Sequence, residues 1–145
     1  MPRTKTDNIL NGILILMIII VAGMIYTIVT TPKLGERFTE FYILNDRGDA
    51  GEYLTELELN NSSTYLVGVI SHEYVPVRYT IDIVLENDIL KSESVTLKHN
   101  EIWEKGLTFV PNKEGTDMKL AFLLFKEDNF EEPYRELYLW VNSTL

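Results

Sequence analysis

The sequence predicts an all-β fold, an immunoglobulin-like antiparallel β-sandwich of about seven to eight strands, preceded by one N-terminal transmembrane helix. Three observations predict it. Turn signals recur about every ten residues after Pro32, the rhythm of short sandwich strands. No segment in that part repeats its apolar residues with the helical period. Ahead of it lies the one long charge-free apolar run, Ile9 to Val29.

As a helix those 21 residues rise about 31 Å, which matches the roughly 30 Å hydrocarbon core of a bilayer. The run is longer than the apolar part of a secretory signal, and Ala22 and Gly23 alone offer small residues for cleavage. Pro32 stops the helix near Thr31, and Lys33 marks the polar boundary. The expected division is a head over 1–8, a transmembrane helix over 9–31, a linker over 32–37 and a β domain over 38–145. Arg3 and Lys5 on one side are balanced by Lys33 and Arg37 on the other, so the positive-inside rule is nearly silent. A short basic head before the apolar run is the pattern of an uncleaved signal anchor, with a cytoplasmic N-terminus and the C-terminal domain outside the cell membrane.

The charge is split in the same place. Residues 34–145 carry 10 basic and 21 acidic groups, a net of −11, within a chain whose total is −9. That disfavours nucleic acid, which requires a basic surface. It equally disfavours adhesion of the domain to anionic headgroups. The eight residues between Val29 and Phe38 reach at most roughly 26–29 Å. The domain is therefore expected to stay near the bilayer, with an envelope or membrane protein, a glycan or a second copy of the chain as partner.

Within the domain the clearest strand is Val77 to Leu85, where Val77, Tyr79, Ile81, Ile83 and Leu85 fall on one face and Arg78, Thr80 and Asp82 on the other. Glu86, Asn87 and Asp88 turn it into Ile89 to Leu97, a hairpin. Tyr65 to Ile70 is apolar without alternation, a strand covered on both sides, with Gly68 marking a bulge or a close backbone approach. Phe38 to Leu44 and Thr55 to Leu59 flank the turn region Asn45 to Gly51. Gly106 to Val110 ends at Pro111, Asn112 to Asp117 forms a turn cluster, and Met118 to Lys126 and Tyr134 to Val141 complete the set. Trp103 is expected to plug the core beside a turn at Asn100 to Glu104.

Catalytic signatures are sparse. With no cysteine, cysteine nucleophiles and thiolate metal sites are excluded. No Gly-x-Ser-x-Gly elbow and no phosphate-cradling glycine loop occurs. His72 beside Glu73 and His99 near Glu101 would form a metal site if their turns converged, but solvated or hydrogen-bonded turn histidines are the simpler reading. Asp46, Asp49 and Glu52 lack the calcium-loop spacing and read as an acidic turn; Arg47-Gly48-Asp49 carries no weight as a tripeptide. No catalytic residue, no metal site and no cofactor is assigned.

Two aromatic residues stand out. In Tyr134 to Val141, Leu137, Leu139 and Val141 share one face, leaving Tyr138 and Trp140 beside Glu136 on the other. Either a loop or the membrane-proximal segment covers these rings, or they are a binding surface for a ligand or partner. Three sequons, at Asn60, Asn61 and Asn142, fall in expected turns or termini on the outer side and are candidate glycosylation sites.

Four segments taken together carry a family resemblance: FTEFYIL at Phe38 to Leu44, YLVGVISHEY at Tyr65 to Tyr74, LKHNEIWE at Leu97 to Glu104, and KLAFLLFKE followed by EEPYRELYLWV within Lys119 to Val141. The ordered set resembles the extracytoplasmic part of the archaeal membrane proteins grouped as domain of unknown function 1616. The resemblance implies an archaeal envelope protein with a β-sandwich carried on membrane helices, and it brings no catalytic residue. Family members often have several transmembrane helices before the domain; one is present here. The functional expectation is a non-enzymatic, membrane-anchored binding or assembly protein. An accessory subunit of envelope glycan synthesis or export, with Tyr138 and Trp140 stacking on sugar, is the alternative, and a metal-dependent enzyme built on the two histidines is the third.

Overall fold

A computed structural model describes residues 4–31 and 34–145. The chain divides into two compact units, one holding the N-terminal helix and the other beginning at Glu36. The helix, α1, spans Lys5–Thr30 and ends on Thr31, as Pro32 requires. It begins four residues before the apolar run. The backbone N–H of Thr4 donates to Asp7 at 3.2 Å in a capping box, so Lys5 and Asp7 join the first turn at little cost. None of its side chains is buried within the chain. At 26 residues with a mean hydropathy of 2.8 in its most apolar stretch, it has the length and composition of a membrane span or a signal sequence. Arg3, Pro32 and Lys33, used above for orientation and for the helix end, lie outside the described residues.

The second unit has eight strands: β1 (Phe38–Leu44), β2 (Glu56–Glu58), β3 (Ser63–His72), β4 (Val77–Leu85), β5 (Asp88–Leu97), β6 (Ile102–Phe109), β7 (Gly115–Lys126) and β8 (Arg135–Thr144). They form a three-stranded sheet, β1-β3-β6, and a five-stranded sheet, β2-β8-β7-β4-β5. The expected sandwich is therefore present, with one departure: β2 runs parallel to β8 over Glu56–Glu58, so the fold is not purely antiparallel.

The inward faces follow from alternation. Tyr79, Ile81, Ile83 and Leu85 of β4 are fully buried, as are Leu120, Phe122 and Leu124 of β7; Val67 and Val69 of β3 meet them from the other sheet. Tyr65 stacks on Phe109 at 5.9 Å and meets Phe122 edge-on at 5.4 Å. Its hydroxyl donates to the Leu54 carbonyl, and burial pushes its ionisation up to about 12. Each such apolar side chain contributes on the order of 1.5–3 kcal/mol when buried.

Several boundaries move. β6 begins at Ile102 rather than Gly106 because the turn closes early: Glu101 N–H donates to the Lys98 carbonyl, and the Lys98 N–H to the Glu101 carboxylate at 2.7 Å. Trp103 consequently lies within a strand, half-buried against the core rim, and does not plug it beside a turn. β7 starts inside the expected turn cluster, with a register shift between Gly115 and Met118 and a left-handed Asp117 at φ 49°.

Gly68 is a close approach and not a bulge. It sits opposite Tyr42 on β1 and Glu104 on β6. The Tyr42 ring lies flat across it, so that a Cβ at Gly68 would fall 2.0 Å from the ring. The Tyr42 hydroxyl reaches Glu104 at 2.7 Å, spanning all three strands of the smaller sheet. Burial, then the Glu104 hydrogen bond, then the charges of Glu104 and Glu40 push Tyr42 up to about 12.

A polar network ties the two sheets together. Thr39 on β1 donates to Glu73 at 2.8 Å and accepts from the Tyr79 hydroxyl at 2.7 Å; the Tyr79 oxygen, on β4, also lies 3.2 Å from Ser71 Oγ on β3. Lys126, at the end of β7, completes it with an ion pair to Glu73 at 2.8 Å. Glu73 is 5% exposed, so its charge is held by partners rather than by water.

Candidate functional site

β8 sits between β7 and the short β2. Its alternation turns Val141, with the half-buried Leu137 and Leu139, into the core. Tyr138 and Trp140 point the other way and remain 53% and 57% exposed. The rings touch each other at 5.9 Å between centroids, at 76°. Lys119, opposite Trp140 on β7, places its ammonium 4.9 Å from the Tyr138 ring and pairs with Glu136 at 2.8 Å. The hydrogen bond to Glu136 raises Lys119 above its usual value against a smaller opposing effect of burial, and the charges of Glu136, Tyr138 and Glu86 add to the rise.

The strand registers extend this patch. Tyr138 lies opposite Ala121, Ala121 opposite Val84, and Val84 opposite Ile89. One row of apolar side chains thus crosses the outer face from β8 to β5, ending on Ile89 at 63% exposed. The sequence pattern located Tyr138 and Trp140 but not Val84, Lys119 or Ile89. Their membership is a matter of cross-strand register, which alternation along one strand does not contain.

The other sequence-derived candidates fall elsewhere. His72 and His99 come within 6.4 Å, ring to ring. Each uses its Nδ1 locally: His72 with Asn100 Oδ1 at 3.2 Å, and His99 as acceptor from the Tyr74 N–H at 3.1 Å. His72 stacks on Phe38 and His99 on Tyr74. Asp46, Asp49 and Glu52 lie around a turn organised by Asn45, whose Oδ1 accepts from the Arg47 and Asp49 N–H groups. A cleft of about 560 Å³ opens there, lined by Asp46, Arg47, Glu52, Tyr53, Glu56 and Tyr65 among others. Among the described residues no three His, Asp or Glu side chains gather as a metal site would require.

Asn60 and Asn61 are exposed turn residues, as expected. Asn142 is different. It lies inside β8, its Nδ2 donating to Glu56 at 2.8 Å and its Oδ1 accepting from the Asp117 N–H at 2.9 Å. That side chain staples β2 and β7 to β8, so this sequon lies in the last residues of β8 and not in a turn.

The profile of a family described as a domain of unknown function (DUF1616) matches residues 32–142. The chain belongs to the DUF1616 family. Among solved structures, the crystal structure of the CARDB domain of the PF1109 protein from Pyrococcus furiosus, in complex with di-metal ions, is similar. It has a TM-score of 0.53 at 14% identity, covering 79% of this chain and 98% of that one. A solution NMR structure of the same domain gives 0.51 at 15% identity, covering 74% and 97%. At such identities the likeness shows the immunoglobulin-like fold of this DUF1616 domain and nothing of its ligands. Comparison with curated protein sequences gives no match.

Proposed function

We propose that this DUF1616 chain is a membrane-anchored, non-catalytic binding protein of the cell envelope. In this reading α1 holds it in the bilayer with the N-terminus inside, and the outer face of the five-stranded sheet receives a protein partner. The observation that carries the reading is the open aromatic pair Tyr138 and Trp140, continued by Val84 and Ile89 across the sheet. Aromatic anchors with a charged rim, here Lys119 and Glu136, are the composition of an interface centre.

The ring geometry favours protein over glycan. At 76° to each other the two rings form a corner, into which a side chain fits, whereas a sugar stacked on one ring would meet the edge of the other. The net −11 of residues 34–145 weighs against anionic lipid as the partner.

Replacing both rings, Tyr138→Ser with Trp140→Ser, tests this by copurification from membranes dissolved in mild detergent. The expected result is loss of the bound partner, each ring being worth about 2 kcal/mol or roughly 30-fold in Kd. Stability should stay within about 0.5 kcal/mol, as for other exposed positions. An unchanged set of bound proteins contradicts the proposal.

A further inference from the structure

The β8 edge of the five-stranded sheet is covered along only part of its length. β2 pairs with Asn142, Ser143 and Thr144 alone. Beside it the Asn142 N–H donates to the Thr55 carbonyl, and the Leu59 N–H donates to the Thr144 carbonyl. Alternate residues of an antiparallel strand turn both main-chain groups to the same side. Trp140, Tyr138 and Glu136 therefore aim theirs at that same edge, where no described strand pairs with them.

The far edge of the sheet is built differently. β5 carries a register shift where it meets β4 between Ile83 and Val84, exposed Ser92, Ser94 and Thr96, and a Glu93 that pairs with Lys91 and Lys105. Irregularity, polar side chains and lysines are how sheets prevent edge pairing. From Leu137 to Val141, β8 has none of these devices.

We propose that this open edge is a self-association site, β8 of one chain pairing antiparallel with β8 of a second copy about a two-fold axis at Tyr138. The stretch Arg135 to Val141 is self-complementary in that register. Tyr138 meets the second copy's Tyr138, Glu136 meets Trp140, Arg135 meets Val141, and Leu137 meets Leu139. The pairs at 136, 138 and 140 have their N–H and C=O groups in position to exchange. No charge faces a like charge, and the half-buried Leu137 and Leu139 cover each other on the core side. The open length also fits: beyond Val141 the edge is taken by β2, and there the second copy's β8 has reached its first residue, Arg135.

The two domains repel at long range through their net charge. Salt screens that repulsion over a Debye length of about 10 Å at 0.1 M, so association strengthens as salt is added. The inference goes beyond the binding function and does not need it. Ile89→Asp, on the outer face but away from the edge, would weaken partner docking while leaving the pair of copies intact, so the two proposals fail separately.

The absence of cysteine makes single cysteines clean reporters. The full chain in mild detergent is compared as Tyr138→Cys and as Ile89→Cys under gentle oxidation. Hydrogen-bonded antiparallel partners have Cα atoms about 5.5 Å apart, inside the roughly 4.4–6.8 Å range of disulfides. The expected result is a covalent dimer from Tyr138→Cys and none from Ile89→Cys. A second measurement, molar mass by light scattering, guards against a misfolded cysteine variant. The otherwise unaltered chain should scatter as a dimer, and Trp140→Glu, which sets a carboxylate opposite Glu136 of the second copy on both sides of the axis, as a monomer with unchanged circular dichroism. A Tyr138→Cys chain that stays monomeric, links no more than Ile89→Cys or links to a different protein overturns the proposal, as does Trp140→Glu that remains a dimer.

Discussion

Gly68→Val is expected to destabilise the sandwich by about 3 kcal/mol, near the top of the usual range for overpacking. The added Cβ alone would stand 2.0 Å from Cζ of Tyr42 and 2.3 Å from its Cε2, so the ring must leave the sheet. With it goes the hydroxyl bond to Glu104 at 2.7 Å, which joins the two edge strands of the smaller sheet across β3. The check is a denaturant series followed by β-sheet circular dichroism. The companion variant Tyr42→Ala with Gly68→Val should recover much of the loss, because the two residues share one space and their effects are not additive. Equal destabilisation by the single and double variants would show that the glycine is needed for the β3 backbone itself and not for the Tyr42 ring.

Lys126→Met is the second substitution with a large expected effect, about 3 kcal/mol, the lower end of the cost of stranding one member of a buried ion pair, because the Lys126 side chain keeps 28% of its surface exposed. Glu73 is buried beneath the network, and Lys126 is its one ion-pair partner within 4.0 Å among the described residues. Burial pushes the Glu73 carboxyl up, but the hydrogen bonds from Lys126 and Thr39 and the charges of Lys126 and Arg37 outweigh it and hold the group below its ordinary 4.5. A carboxyl lowered in the folded state stabilises the fold above its unfolded value and loses that contribution as pH falls through the folded one. Stability measured against pH should therefore decline as the medium is acidified below about 4.5. Glu73→Gln should flatten that decline. Replacing both partners, Glu73→Leu with Lys126→Met, should cost less than Lys126→Met alone, because no charge is then left buried.

Much of the architecture was legible because strands with one wet face write a period of two into the sequence. β1 and β4 came out at their observed ends, and β5 within one residue, because turns with Asn, Asp or Glu bound them. What the pattern missed has a common cause. β6 was cut short because Ile102, Trp103, Glu104 and Lys105 do not alternate in the simple sense: Ile102 is exposed on the outer face at 64%. The parallel pairing of β2 and the role of Asn142 depend on which distant strand arrives beside β8, information that no local window holds. Thr4 and Asp7 carry a capping signal three residues apart, which sets the helix start ahead of the apolar run. The candidate surface was half legible for the same reason. Tyr138 and Trp140 follow from alternation in one strand, whereas Lys119, Val84 and Ile89 join them only once three registers are known.

The polar network is the instructive intermediate case. Glu73 and His72 are neighbours in sequence, a pairing that suggests shared chemistry. The fold separates them: Glu73 turns inward to Thr39 and Lys126, while His72 lies on the outer side against Phe38 and Asn100. Adjacent residues at a strand end point to opposite faces, so their proximity in sequence argues against a shared site.

The most direct test of the binding account is photo-cross-linking in the intact cells that make the protein. A photoreactive side chain is placed at Trp140 in one version and at Thr108, an exposed position on the outer face of the smaller sheet, in another. The account predicts a covalent adduct from Trp140 to another membrane or envelope protein, distinct in mass from two linked copies, and none from Thr108. No such adduct at Trp140, or the same adduct from both positions, would contradict it.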